Sequence, residues 1–252
     1  MLRSIYMSAT NMVLQRAKVD AITNNIANTD TTGYKSDKLV SRSFSDMLIS
    51  RLDDPNVVRT SQQIGSLNTG VHVDELVTDF SQGSLEQTGS NSNLAINGEN
   101  AFFVVNTTAG DRYTRDGSFY VNAEGYLVTS AGDRVMGENG AIRVNTNDFS
   151  VDAQGNVKAK DQAVGKLRIV SFSDTAALRK TGDSLFYNYG GAAVTPALNY
   201  SVQQGYLEVS NTNITSQVVD LMSASRSYET SQRIVKMLDE SLSKTVNEVG
   251  RV

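Results

Sequence analysis

Two apolar stripes of helical spacing bracket the chain. Near the N-terminus Ile5, Met12, Val19 and Ile26 recur every seven residues, with Leu2, Ala9 and Ile22 in neighbouring positions. That spacing puts one apolar seam on a helix of coiled-coil type. Thr32-Gly33 supplies the stop. At the other end Ile214, Leu221, Tyr228, Val235, Leu242 and Val249 stand in strict steps of seven, supported by Val218, Leu238 and Val246. A helix over 214–249 would extend ~54 Å at 1.5 Å per residue, longer than a small domain is wide. Its apolar face therefore needs partners beyond the middle of the chain.

The middle changes period. Runs at 102–105, 118–122, 126–129 and 166–172 are rich in β-branched and aromatic residues and sit between Gly, Asn and Asp clusters, the pattern of short hairpin-linked strands. Glycine marks the same division: none lies in 1–32 or 206–249, and seventeen of the nineteen lie between 65 and 205. An internal echo supports hairpins, because Val121-Asn122-Ala123-Glu124-Gly125-Tyr126-Leu127 returns thirty positions on as Val151-Asp152-Ala153-Gln154-Gly155-Asn156-Val157. Residues 36–70 are polar and weakly patterned, with Asp53-Asp54-Pro55-Asn56 as a turn, and read as a surface-running connector. The expected organisation is α+β. An N-terminal helix and turn over 1–35 pairs with 207–252 as a coiled-coil-like domain. The connector follows at 36–70, a β-rich domain at 71–205 and the C-terminal helix at 206–252.

Composition narrows the chemistry. The 252 residues are 39% hydrophobic and 20% charged, with a formal net charge of -4, which suits a folded globular chain. Zero Cys and a single His, His72, remove Cys/His zinc sites, thiol nucleophiles and disulfides. Mild acidity gives no footprint for nucleic acid. Polar residues interrupt 1–18, so no cleaved secretory signal is expected, and the longest apolar run, 101–105, is too short to insert in a membrane.

Acid pairs occur at Asp53-Asp54, Asp74-Glu75 and Asp239-Glu240, but solvated charge is the ordinary reading of each. Neither a phosphate-binding loop nor a calcium-loop pattern occurs, and no cofactor or metal is expected. A lone His between Val71 and Val73 is more often a surface or hydrogen-bonded residue than a ligand. One enzymatic alternative stays open: a carbohydrate-binding or carbohydrate-active β domain with helical oligomerisation ends, using Asp116 and Asp152.

The heptads are the stronger signal. They fit either an intramolecular helical hairpin packed on the β domain or a seam shared between subunits. Arg16, Thr23, Ser225 and Gln232 interrupt the helices, so an isolated two-helix coil would be weak and neighbouring subunits would complete it. Head-to-tail use of such a surface builds rings or open filaments. The expected seam is Ile5, Met12, Val19, Ile22 and Ile26 with Ile214, Leu221, Tyr228, Val235 and Leu242.

The motifs then resemble a known family. Thr23-Asn24-Asn25-Ile26-Ala27-Asn28-Thr29-Asp30-Thr31-Thr32-Gly33-Tyr34-Lys35 is similar to the N-N-[IL]-A-N-x-x-T-x-G-[YF]-K signature of the flagellar basal-body rod and hook-basal-body proteins. Leu94-Ala95-Ile96-Asn97-Gly98, Tyr113-Thr114-Arg115-Asp116-Gly117-Ser118-Phe119, Gln204-Gly205-Tyr206-Leu207-Glu208 and Arg226-Ser227-Tyr228-Glu229 resemble later blocks of that family. The resemblance implies a non-enzymatic structural subunit of the flagellar basal body, most like a distal rod subunit, with a proximal rod subunit as the alternative. It implies self-assembly into a helical, torque-transmitting tube alongside other rod and hook proteins. It also implies export through the flagellar type III apparatus, and a motif turn in which Asn28, Thr31, Gly33, Tyr34 and Lys35 direct the first helix.

Overall fold

A computed structural model of the chain describes residues 2–50, 63–146, 148–160 and 162–249. Its architecture is α+β: an N-terminal helix, a β-rich middle and a C-terminal helix. Contacts divide the chain into two compact units, one of residues 1–24, 37–77 and 215–252, the other of residues 25–36 and 78–214.

The first unit is built on α1 (Leu2–Ala27) and α2 (Ile214–Val249). Neither contains Gly or Pro, so no breaker interrupts the periodic stripes. The second helix has the bounds that its heptads predict, and the C-terminal helix expected from 206 therefore starts later: 206–208 form a strand paired with 85–87 instead. Residues 36–70, expected as a connector, hold strand β1 (Asp37–Ser43), strand β2 (Met47–Ser50) and strand β3 (Gln63–Leu67). The expected turn at Asp53-Asp54-Pro55-Asn56 lies outside the described residues. Strand β2 pairs antiparallel with β3, setting Met47 opposite Leu67, and β1 pairs with β4 (Val71–Thr78). His72, on β4, stacks on Phe44 at 4.8 Å between ring centroids, and Tyr6 of α1 meets Phe44 at 6.5 Å.

The second unit continues with β5 (Leu85–Gln87), β6 (Leu94–Asn97), β7 (Ala101–Thr107) and β8 (Gly110–Thr114). Strand β7 is central in a ten-stranded antiparallel sheet: β8 pairs with one edge, and the strands at 134–137 and 169–172 pair with the other. The apolar run 101–105 explains this place, since a strand covered on both faces needs no polar alternation. Phe103 and Val105 enter the larger core with Leu94, Ile96 and Leu127, while Phe102 and Val104 enter a second cluster with Val170, Phe172 and Phe186. Phe102 meets Phe80, Phe172 and Phe186 edge-on at 5.7, 5.7 and 5.9 Å.

The sequence echo forms the same turn twice. Gly125 N donates to Asn122 O and Gly155 N to Asp152 O, both at 2.9 Å, and the two glycines have φ of 83° and 82°. Asn122 Oδ1 accepts from the amides of Glu124 and Tyr126, as Asp152 Oδ1 does from those of Gln154 and Asn156. The single strand expected over 166–172 is instead two, at 162–166 and 169–172. Leu167 N donates to Gly155 O and Arg168 N to Met136 O, which ends one ladder and starts another in a different sheet.

Candidate assembly surfaces and the turn motif

After α1, the residues of the second unit make a tight knot. Tyr34 is buried and its hydroxyl donates to Asn25 Oδ1 at 3.1 Å. The amide and hydroxyl of Thr31 donate to the carbonyl and side-chain oxygens of Asn28 at 3.2 and 3.3 Å. Gly33 has φ +65°, and a Cβ there would lie 2.2 Å from Asp116 N, so only glycine lets the turn pass this close. Its amide donates to Glu208 O at 2.8 Å.

The next residue carries charge into the interior. Lys35, Arg115 and Glu208 are among the most deeply buried side chains of the unit. Lys35 Nζ donates to Glu208 Oε1 and to Ser81 O, and Arg115 Nη1 donates to Glu208 Oε2 at 3.2 Å. Arg115 Nη2 reaches Gly98 O at 2.8 Å, and the guanidinium lies over Phe102 with its Cζ 5.1 Å from the ring centroid. Gly83 N adds a third donor to the Glu208 carboxylate, at 3.0 Å. Two cations thus share one anion. Burial lowers the Lys35 pKa, with Glu208 pulling it back, and lowers that of Arg115 for the same reason. Beside them Ser36 N donates to Asn211 Oδ1 at 2.8 Å, and Lys180 Nζ lies 4.2 Å from the centroid of the Tyr34 ring. The blocks ending in Lys35, containing Arg115 and ending in Glu208 therefore meet at one point.

In the helices the expected seam is covered unevenly. Ile22 is buried; Ile5, Met12, Val19, Ile26, Leu221, Tyr228, Val235 and Leu242 are half-buried; Ile214 is exposed. The best-covered positions on α2 are Ala224 and Ser231, which continue the same face as Leu221, Tyr228 and Val235. Asn11 Nδ2 of α1 donates to Ser231 Oγ at 2.8 Å, so the two helices touch at small and polar residues. An apolar heptad count passes over such residues; the signal that would have found them is the small side chain three positions after Leu221 and after Tyr228. Leu14, also buried, lies off the expected seam.

Large apolar side chains stay exposed on this unit: Tyr6, Met7 and Val13 on α1, Val219, Met222 and Met237 on α2, and Met47 and Leu48 on β2. A groove of about 720 Å³ runs along α2 between Val219 and Ile234, with Asn11 on its border.

The carboxylates of the carbohydrate alternative are used locally. Asp116 accepts from Thr32 Oγ1 at 2.7 Å and from Ser118 N at 3.0 Å. Asp152 caps its own hairpin, and the Asn156 side chain and backbone amides lower its pKa. Asp74 pairs with Arg42 at 3.0 Å. Among the described residues no group of three or more His, Cys, Asp or Glu side chains is arranged to hold a metal ion, and no helix is long and apolar enough to cross a membrane.

Comparison with known proteins matches three successive segments. The flagellar basal body rod protein family matches residues 5–35, the D1 domain of the flagellar hook protein FlgE/F/G family matches 95–159, and the C-terminal region of the flagellar basal body rod FlgEFG proteins matches 203–248. The flagellar hook-basal body complex protein FlhO of Bacillus subtilis is 31% identical over 100% of both chains. The flagellar basal-body rod protein FlgF of Caulobacter vibrioides is 32% identical over 99% of this chain and 97% of its own length. FlgG of Bacillus subtilis, named a flagellar basal-body rod protein, is 30% identical over 98% and 99%. Full-length matches of this kind, laid over the motif blocks that meet at Glu208, place the chain in the flagellar basal-body rod family, as a structural protein of the flagellar basal body and not an enzyme.

Proposed function

We propose that this protein is a subunit of the distal part of the rod, polymerising through its two terminal helices into a stiff helical tube that carries torque. The observation that supports this reading is the incomplete cover of α1 and α2: nine of the ten seam residues are half-buried or exposed in the single chain. Neighbouring subunits would finish their burial in a coiled-coil-like layer, each fully buried Leu or Ile contributing on the order of 1.5–3 kcal/mol before ordering costs. The turn of Asn28, Thr31, Gly33, Tyr34 and Lys35 sets how α1 leaves the seam. Other rod and hook proteins adjoin the tube, and the chain reaches it through the flagellar type III apparatus. A proximal position is the second reading, since relatives with different rod names match at the same level.

The test is the state of the purified protein as concentration rises, read by sedimentation and electron microscopy. Tubular or filamentous polymer is the expected result. A monomer at every concentration, with the amides of α2 fully protected from hydrogen exchange, would return the helices to an intramolecular hairpin.

A further inference from the structure

The turn motif is held on two sides. Its inner side is tied to the interior by Gly33 N on Glu208 O and by Thr32 Oγ1, which donates to Asp116 Oδ1 at 2.7 Å. Its outer side meets a hairpin of two antiparallel strands, 178–182 and 185–188. Lys180 Nζ donates to Lys35 O at 2.6 Å and lies over the Tyr34 ring, and Ser184 Oγ donates to Thr32 O at 3.3 Å. Behind these donors the hairpin is anchored, since Leu178 and Phe186 are buried in the second apolar cluster and Phe186 pairs with Tyr113 of β8.

The tip is strained where it makes this contact. Asp183 and Ser184 form a two-residue loop with φ of 49° and 54°, both left-handed, and Gly182 before them has φ +114°. Loops of this form favour Asn-Gly, because most side chains are disfavoured in the left-handed region. Ser184 is nonetheless held there: its carbonyl accepts from Thr114 Oγ1 at 2.9 Å while its hydroxyl reaches Thr32. The pairing register shifts between Lys180 and Gly182, so the ladder is interrupted just before the tip. A strained tip on an anchored body has two arrangements available, down on the turn or lifted from it.

We propose that residues 180–184 are a latch on the turn motif. Closed, it fixes the turn from outside through Lys180 and Ser184, which are positioning residues. Lifted, it relaxes its own left-handed backbone and frees the turn while the rest of the second unit stays folded. Contact and strain oppose each other, so loss of either donor tips the latch open and relief of the strain tips it shut. The latch stands on these contacts alone; its consequence for assembly rests on the reading that the turn sets how α1 leaves the seam.

Hydrogen exchange of the full-length chain in dilute solution tests this. Lys180→Met and Ser184→Ala each remove one donor and should raise exchange of the Thr31, Gly33 and Tyr34 amides about tenfold, with the amides of β7 unchanged. Asp183→Gly keeps the Ser184 hydroxyl and relieves the backbone, and should slow the same three amides by roughly threefold. Asp183 is exposed and Lys180 and Ser184 are half-buried, so circular dichroism of the variants should match wild type. Unchanged exchange in both donor variants would show that the interior bonds hold the turn unaided, and would overturn the proposal. Equal acceleration in the turn and in β7 would overturn it too, because the unit would then loosen as one body. Faster exchange in Asp183→Gly would break the opposition between contact and strain on which the latch depends. A selective rise in exchange with assembly as in wild type would keep the latch and detach the turn from the rod reading.

Discussion

The two units differ in where their apolar side chains end up. In the second, Phe102, Phe103, Leu94, Leu127 and Phe186 are fully enclosed, and few large apolar side chains reach solvent. In the first, Val13, Leu48, Val219, Met222 and Met237 are exposed, and the helices meet through an Asn–Ser hydrogen bond. Hydrophobic burial is the dominant favourable term in folding. The second unit therefore carries its own stability, whereas the first leaves much of its apolar surface exposed in the single chain. The same chain holds a finished domain and an unfinished one, the division of labour that the proposed polymerising role would need.

The sharpest way to break this comparison is to unpair the buried ions. Glu208→Ala leaves Lys35 and Arg115 enclosed without their shared anion, and should cost about 3–5 kcal/mol in urea unfolding of the second unit. A loss below about 1 kcal/mol would mean that water reaches the cluster and that the unit is less closed than its packing implies.

A paired substitution sharpens the contrast. Phe102→Ala removes a ring held by three other phenylalanines and should cost about 3–5 kcal/mol, while Leu48→Ala on exposed β2 should change monomer stability by less than about 0.5 kcal/mol. Comparable losses at the two sites would erase the distinction between the units.

Leu221→Asp acts in the first unit alone. It should abolish assembly in the sedimentation experiment and leave the urea midpoint of the second unit unchanged. Normal polymerisation of this variant would remove Leu221 from the seam. Hydrogen exchange of a dilute monomer should likewise show α2 amides exchanging well before those of β7.

The smallest effect is with pH. Burial holds the folded pKa of Lys35 below the ordinary lysine value of 10.5. Between those two values the folded chain binds fewer protons than the unfolded chain, so stability rises with pH in that window. Below the folded pKa the burden is present in full. Lys35→Met should flatten the slope of the urea midpoint in the window below pH 10.5 relative to wild type. A variant slope as steep as that of wild type would show that Lys35 keeps its charge throughout.

Much of this was legible from residue order because it is local. A helix declares itself through side chains three, four and seven residues apart, which is why the heptads from Ile214 onward and the lack of Gly or Pro suffice to bound α2. The run 101–105 likewise marks a strand buried on both faces, and the repeated Asn/Asp-x-x-Gly turns are closed by their own side chains. The motifs that carry the family resemblance are also contiguous, so they could be read without coordinates. The pairing of β6 with 201–204 and of β5 with 206–208 could not be, because nothing local selects a partner more than a hundred residues away.

The candidate site divides in the same way. Periodicity placed Ile5 to Ile26 and Ile214 to Leu242 on apolar helix faces, but it could not say which of those faces the chain covers for itself. Ala224 and Ser231 became the closest contacts of α2 because small side chains let helices approach, an effect that appears only once the two helices are side by side. Lys35, Arg115 and Glu208 read as three separate motif residues; their charges became a single buried cluster because the fold brings positions 35, 115 and 208 within hydrogen-bond reach. Sequence by itself determined the helices, the hairpin turns and the family, all written in neighbouring residues. Tertiary structure alone decided which charges are buried together and which apolar faces stay exposed, since burial depends on what long-range packing places against each side chain.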